Sequence, residues 1–164
     1  MTARDAKRRT TAHDARDWLE MVRDCAGELD GMHQELLALI DARDACLPWR
    51  TKGSPMYGSM GGSCSNPTQT EALSRIVALD DQIATLTTKV DESERVVGDC
   101  LAMLDAMWHE LGERYAKVLE IYYIDCADTW SEVALEMGMS RTHLCRIRDA
   151  AWSWADAYIV QHSI

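Results

Sequence analysis

The chain has 164 residues, 47% of them hydrophobic, and a formal net charge of −10 at pH 7. This hydrophobic content allows a buried core, while the negative charge argues against a protein that binds nucleic acid over its whole surface. No apolar run of about 18 residues occurs, which excludes a transmembrane helix. The basic first residues lack the apolar segment of a secretory signal.

Residue types that bind metals or perform catalysis are scattered along the chain. The six cysteines are Cys25, Cys46, Cys64, Cys100, Cys126 and Cys145. No pair has the close spacing of a zinc site or a redox motif, so we expect reduced thiols in a cytoplasmic protein without a metal or another cofactor. The five histidines form no known catalytic motif, and the sequence therefore predicts a protein that is not an enzyme.

The N-terminal part of the chain combines a basic tail with a long helix. Residues 1–12 are polar and charged, and we expect a flexible tail there. In residues 13–47 apolar side chains alternate four and three positions apart, which is typical of a coiled-coil seam. This seam consists of Trp18, Val22, Cys25, Leu29, Met32, Leu36 and Leu39. Pro48 ends the predicted helix because it lacks an N–H and restricts the preceding residue.

Residues 48–68 are rich in glycine, proline and serine and predict a loop. They hold all three prolines and four of the nine glycines. No strand precedes this segment and no Gly-Lys-Ser/Thr follows it, which excludes a phosphate-binding loop of the nucleotide-binding type.

A second long helix is predicted over residues 69–111, with the same four-three alternation as the first. Its seam consists of Ile76, Leu79, Ile83, Leu86, Val90, Val97, Cys100, Leu104, Met107 and Leu111. Each long helix has a single apolar seam and therefore needs a partner. We expect the two to pair as an antiparallel, coiled-coil-like hairpin, which also offers a surface for a homodimer.

The stretch Thr129–Asp149, TWSEVALEMGMSRTHLCRIRD, predicts a helix-turn-helix within residues 112–164. The first helix would run from Trp130 to Met137 and end at Gly138, where the turn requires a positive φ. Ser140 is a suitable N-cap for the second helix. The apolar positions expected to face inward are Val133, Ala134, Met137, Leu144, Ile147, Ala151, Trp154 and Tyr158. The predicted fold class is thus all-α.

The segment Leu111–Tyr158 resembles region 4 of bacterial sigma factors. The resemblance rests on an apolar helix that ends in aromatic residues, a short polar loop, a Trp-Ser-Glu-Val-Ala segment, a Met-Gly-x-Ser turn, and a helix with Arg146 and Ala150. Tyr122 stands where this family often carries arginine. The whole chain is similar to uncharacterised regulators encoded in phages and prophages of Gram-positive bacteria. The resemblance implies a C-terminal module that binds double-stranded DNA and an acidic hairpin that dimerises or contacts RNA polymerase.

Basic side chains cluster on the second helix of this stretch, with Asp149 as the nearby acid. Arginine can pair with the O6 and N7 atoms of guanine, and threonine can contact a thymine methyl group. We expect Arg141, Thr142 and Arg146 to contact base edges, and Ser140 and Arg148 to contact phosphates. The complete set of predicted DNA-contacting residues is Ser140, Arg141, Thr142, His143, Cys145, Arg146 and Arg148.

The leading hypothesis is a transcription regulator of phage type that recognises a promoter or recruits RNA polymerase. A subunit for phage DNA packaging, similar to small terminases, is an alternative, because such subunits also combine a helix-turn-helix with helical hairpins. A coiled-coil adaptor without DNA binding is a third, since the chain is acidic. The N-terminal half lacks the basic aromatic helix with which a complete sigma factor opens promoter DNA, so we do not expect it to initiate transcription alone.

Overall fold

The computed structural model describes residues 15–47 and 67–162, and in these residues every regular element is helical. The described residues form five α-helices and one π-helical turn: α1 (Ala15–Ala45), α2 (Pro67–Leu111), α3 (Glu113–Leu119), the π-helical turn (Glu120–Ile124), α4 (Trp130–Glu136) and α5 (Arg141–His162). The all-α prediction is therefore confirmed for this part of the chain. The predicted tail, residues 1–12, and residues 48–66 of the predicted loop lie outside the described residues.

The start of α2 differs from the sequence prediction by two residues. The loop was predicted to end at residue 68, but α2 begins at Pro67. Proline is well suited to the first turn of a helix, because the N–H that it lacks would have no partner there. The proline thus begins the second long helix, whereas the sequence prediction had counted it as part of the loop.

The described residues divide into two compact units, to which α1 and α2 both contribute. The large unit contains residues 15–29 and 92–162, and the small unit contains residues 30–47 and 67–91. The predicted boundary between residues 111 and 112 lies inside the large unit, because the end of α2 shares a core with the helices that follow it.

The main core of the large unit joins α1, α2, α3, the π-helical turn and α5. Its buried residues are Ala15, Trp18, Leu19, Val22, Val96, Cys100, Met103, Leu104, Met107, Ala116, Leu119, Tyr123, Ala151, Trp152, Ala155 and Ile159. Val96 and Met103 are buried although the predicted seam omitted them, and Val97 is only partly buried. A seam for a single partner is narrower than the face of a helix on which several helices pack, which explains the difference.

On α5 the structure corrects the prediction of which aromatic residues are buried. Trp152 is buried, whereas Trp154 and Tyr158 remain partly exposed. The latter two stack on each other with ring centroids 5.0 Å apart, and the indole N–H of Trp154 donates a hydrogen bond of 2.8 Å to Glu110. The start of α1 covers the other side of α5, where the Arg16 guanidinium lies 3.8 Å from the Trp152 ring centroid.

The small unit contains few buried side chains. Among its described residues only Leu86 and Val90 are buried, while Leu37, Leu73 and Val77 are more than 60% exposed. Arg43 pairs with Asp44 at 3.0 Å and with Asp80 at 3.6 Å. Along both units, no described helix combines the length and hydrophobicity needed to cross a bilayer.

Candidate nucleic-acid interface

A second, smaller core holds α3, α4 and α5 together within the large unit. It consists of Val118, Ile121, Val133, Ala134, Leu144 and Ile147, each at most 5% exposed. Ala134 and Leu144 belong to the apolar positions that the sequence predicted to face inward. Because these side chains come from α3, the π-helical turn, α4 and α5, the core fixes how α4 and the first half of α5 are placed against α3.

The start of α4 is fixed by a capping box. The hydroxyl of Thr129 accepts a hydrogen bond from the backbone N–H of Glu132 at 3.3 Å. The Glu132 carboxylate accepts in return from the backbone N–H groups of Thr129, at 3.4 Å, and of Asp128, at 2.9 Å. Orphan N–H groups at this helix end are thereby satisfied, so the capping box defines where α4 begins.

The turn between α4 and α5 is closed by backbone hydrogen bonds around Gly138. The N–H of Gly138 donates to Leu135 O at 3.1 Å, and the N–H of Met139 donates to Ala134 O at 2.9 Å. Gly138 has a φ of +61°, as the sequence predicted for this position. This pattern is a Schellman motif, which ends a helix with a residue in the left-handed region, where glycine is favoured.

Ser140 caps the start of α5, as expected from the sequence. Its hydroxyl accepts a hydrogen bond from the backbone N–H of His143 at 3.3 Å, and its carbonyl accepts from Leu144 at 2.9 Å. The hydroxyl is therefore engaged in the cap, while the side chain as a whole remains exposed. The first turn of α5 begins directly after the Gly138 turn.

The structure exposes most of the predicted DNA-contacting residues. Ser140, Arg141, Thr142, His143 and Arg146 are exposed, and Cys145 is partly buried. Thr142 and Arg146 lie four residues apart and therefore share a helix face, whereas Arg141 is about 140° around the axis from Arg146 at about 100° per residue. Arg141 is the first residue of α5, so it reaches solvent from the end of the helix and not from the same face.

Arg148 does not share this face. It donates two hydrogen bonds to Asp149 Oδ1, at 2.8 and 3.1 Å, and its guanidinium lies 4.4 Å from the Trp152 ring centroid and 5.3 Å from that of Trp130. Its side chain is only 20% exposed. This geometry does not support the predicted phosphate contact, because the guanidinium is already engaged by a carboxylate and two aromatic rings.

Aromatic rings connect α4 to the π-helical turn and to α1. Tyr122 stacks on Trp130 with centroids 3.8 Å apart and an interplanar angle of 10°. Arg23 of α1 lies 4.4 Å from the Tyr122 ring centroid and donates a hydrogen bond of 2.9 Å to Ala127 O. Tyr122 is thus a packing residue here. Sequence reasoning missed this network, since its members lie far apart in the chain.

The buried end of the same network contains a hydrogen bond between two aromatic side chains. The indole N–H of Trp152 donates to the hydroxyl of Tyr123 at 3.2 Å. Burial raises the pKa of Tyr123 well above its ordinary value of 10.0. Both polar atoms are satisfied, so the aromatic side chains can be buried at a small energetic cost.

The described residues contain no group of three or more His, Cys, Asp or Glu side chains placed to hold a metal ion. Comparison of the chain with known protein families, with curated proteins and with solved structures returned no match.

Proposed function

We propose that this protein is a sequence-specific DNA-binding regulator of transcription, of phage or prophage type, which recognises a promoter element or recruits RNA polymerase. In this proposal α4 and α5 form a helix-turn-helix similar to that of sigma region 4, and the two long helices form an antiparallel hairpin. The first half of α5 enters the major groove with Thr142 and Arg146 toward the base edges.

The observation that carries this proposal is the division of α5 into two faces. Leu144 and Ile147 are at most 5% exposed and pack into the second core, while Thr142 and Arg146, one turn apart on another face, are exposed. The tight turn at Gly138 and the cap at Ser140 set where this helix begins. A helix anchored along one side, with a polar opposite side that carries an exposed arginine, has the form required to read a groove.

The acidic net charge of −10 favours binding to specific DNA sites over non-specific binding along the duplex. A surface that is negative overall repels phosphates at most positions, so non-specific affinity is low. Specific contacts then have to supply the binding energy at one site. A regulator that must find a few promoters among many other sequences benefits from this difference.

The test is a mobility-shift titration of the full-length protein with DNA fragments from its own genetic locus and with unrelated DNA, at two salt concentrations. Arg146→Ala is expected to weaken binding to the preferred fragment by about 5- to 150-fold, which corresponds to the 1–3 kcal/mol of a good base contact. Arg95→Ala is the matched control, because Arg95 is a 68% exposed arginine of α2 in the same unit.

The control removes the same charge from another surface, so its affinity should equal that of the unsubstituted protein. Equal losses in both variants would show that only net charge matters. Absence of a preference for any fragment, in the folded full-length protein, would refute sequence-specific binding.

A further inference from the structure

Asp149 occupies a position on α5 that the DNA-contacting set did not include. It lies three residues after Arg146 and seven after Thr142, so the three side chains share one face of the helix. All three residues are exposed, and the Asp149 side chain has an exposed fraction of 58%. A carboxylate on a face turned toward DNA is unfavourable unless it is neutralised or makes a specific contact, because phosphates repel it.

The structure provides both a neutralising partner and a free acceptor atom. Arg148 donates two hydrogen bonds, and both go to Oδ1 of Asp149. No hydrogen bond among the described residues uses Oδ2, and the Asp149 side chain is 58% exposed, so Oδ2 remains available as an acceptor. Hydrogen bonds that pair a guanidinium with a carboxylate are strong and directional, so Arg148 restricts the rotamers of Asp149.

Arg148 is itself held in place. Its guanidinium is 4.4 Å from the centroid of Trp152, which is buried, and 5.3 Å from that of Trp130, which stacks on Tyr122. The direction of the Asp149 carboxylate is therefore set by a chain of contacts that leads back into the core. Such support from neighbouring residues is what gives a recognition side chain a defined geometry.

Resting on the DNA-binding function proposed above, we propose that Asp149 is a specificity-determining residue that reads one base of the target, and that Arg148 is its positioning residue. In the major groove a carboxylate accepts a hydrogen bond from the N4 amino group of cytosine. The acceptor atoms that guanine and thymine present, O6 with N7 and O4, repel the same carboxylate. Asp149 thus selects cytosine at the base step next to the one that Arg146 contacts, and rejects guanine and thymine there.

The experiment is selection of preferred sequences from a randomised duplex library with five full-length proteins: unsubstituted, Asp149→Asn, Arg148→Met, Arg148→Lys and the control Asp105→Asn. Asp105 is an exposed aspartate of α2 in the same unit, with a side chain 74% exposed. It gives the same change of charge as Asp149→Asn. Circular dichroism of each protein establishes that it is folded.

In the unsubstituted protein and in Asp105→Asn, one position of the selected site should show cytosine. Asp149→Asn should lower this preference by at least about fivefold, because the neutral amide oxygen is a weaker acceptor than the carboxylate for the cytosine N4 amino group, while asparagine favours adenine. Arg148→Met should weaken the same preference and leave the other positions unchanged. A purely structural role of Arg148 would weaken every position equally. Arg148→Lys, which keeps a charged donor, should restore part of the preference.

The two proposals fail in different ways. If the unsubstituted protein selects no sequence, the proposed function is wrong. If it selects a site and Asp149→Asn selects the same site with equal strength at every position, the function stands and the role of Asp149 is wrong.

Discussion

The large and the small unit use the same kind of helix but differ in what surrounds it. In the large unit, segments of α1 and α2 meet α3 and α5, and their side chains reach exposures of 0%, as at Leu19 and Met103. In the small unit, segments of the same two helices bury only Leu86 and Val90 among the described residues. Two helices alone leave much of each apolar stripe open to solvent, whereas a third layer closes it.

Helix periodicity alone therefore does not determine local stability. Both units have apolar residues at regular spacing, but hydrophobic stabilisation follows the area removed from water. We therefore expect amide hydrogens of the small unit to exchange faster than those of the main core. The predictions below test this contrast, beginning with the largest expected effect.

Truncation of a leucine should change the free energy of unfolding far more in the large unit than in the small unit. Leu144→Ala, in the second core of the large unit, should lower the free energy of unfolding by about 2–5 kcal/mol, because Leu144 is 1% exposed and the substitution leaves a cavity. Leu37→Ala, in the small unit, changes a residue that is 63% exposed and should cost about 0.5 kcal/mol or less. Urea titration of both variants measures the difference, and similar losses would contradict the contrast.

Replacement of glycine by alanine should lower the stability in the large unit and raise it in the small unit. Gly138→Ala should destabilise by about 1–2 kcal/mol, because Gly138 has a φ of +61° and no atom lies within 4 Å of the added Cβ, so the cost is conformational. Gly31→Ala, inside α1 of the small unit and also without a neighbour within 4 Å, should stabilise by about 0.5–1 kcal/mol. Thermal unfolding measures both changes. A lower stability of Gly31→Ala would contradict the expectation that the added methyl group meets no neighbour.

Alkaline pH should weaken the large unit through a buried thiol. Burial raises the pKa of Cys100 from 9.0 to about 12. Between these values the unfolded chain releases a proton that the folded chain retains. The free energy of unfolding is therefore unaffected well below pH 9 and decreases as the pH rises, by about 1.4 kcal/mol at pH 10. Between pH 8 and pH 10 the denaturation midpoint should therefore decrease less in Cys100→Ala than in the unsubstituted protein.

The matched variant for this measurement is Cys46→Ala in the small unit, where the thiol is only partly buried. It should retain the full decrease between pH 8 and pH 10. If Cys100→Ala and Cys46→Ala showed the same decrease, the titration of Cys100 would not contribute to stability.

The smallest effect is expected for the capping box of α4. Thr129→Ala removes the hydroxyl that accepts from Glu132 and should cost about 1 kcal/mol. Thr88→Ala, on an exposed surface of α2 in the small unit, removes a hydroxyl that donates to Ala84 O and should change stability by less than about 0.5 kcal/mol. Chemical denaturation measures the two values, and equal effects would mean that the Thr129 cap does not stabilise the protein.

The sequence predicted those features that depend on neighbours in the chain. The helix periodicity, the turn at Gly138 and the cap at Ser140 are local, and each is found in the structure. The burial of Trp152 in place of Trp154, and the inward position of Arg148, depend on α1 and α4 packing against α5. Residues more than a hundred positions apart, such as Arg23 and Ala127, leave no signal in a local pattern.

The π-helical turn, Glu120–Ile124, has a consequence for tolerance to insertion and deletion. Its wider ring is closed by a hydrogen bond of 3.0 Å from Asp125 N–H to Glu120 O, which accommodates one more residue per turn than an α-helix does. Loss of a single residue from this turn can return the backbone to ordinary helix without rotating the side chains that follow, whereas the same loss inside α5 would rotate them by about 100°. The placement of the residues after the π-helical turn, including Trp130, which stacks on Tyr122, is therefore less sensitive to loss of one residue than the placement of the second half of α5.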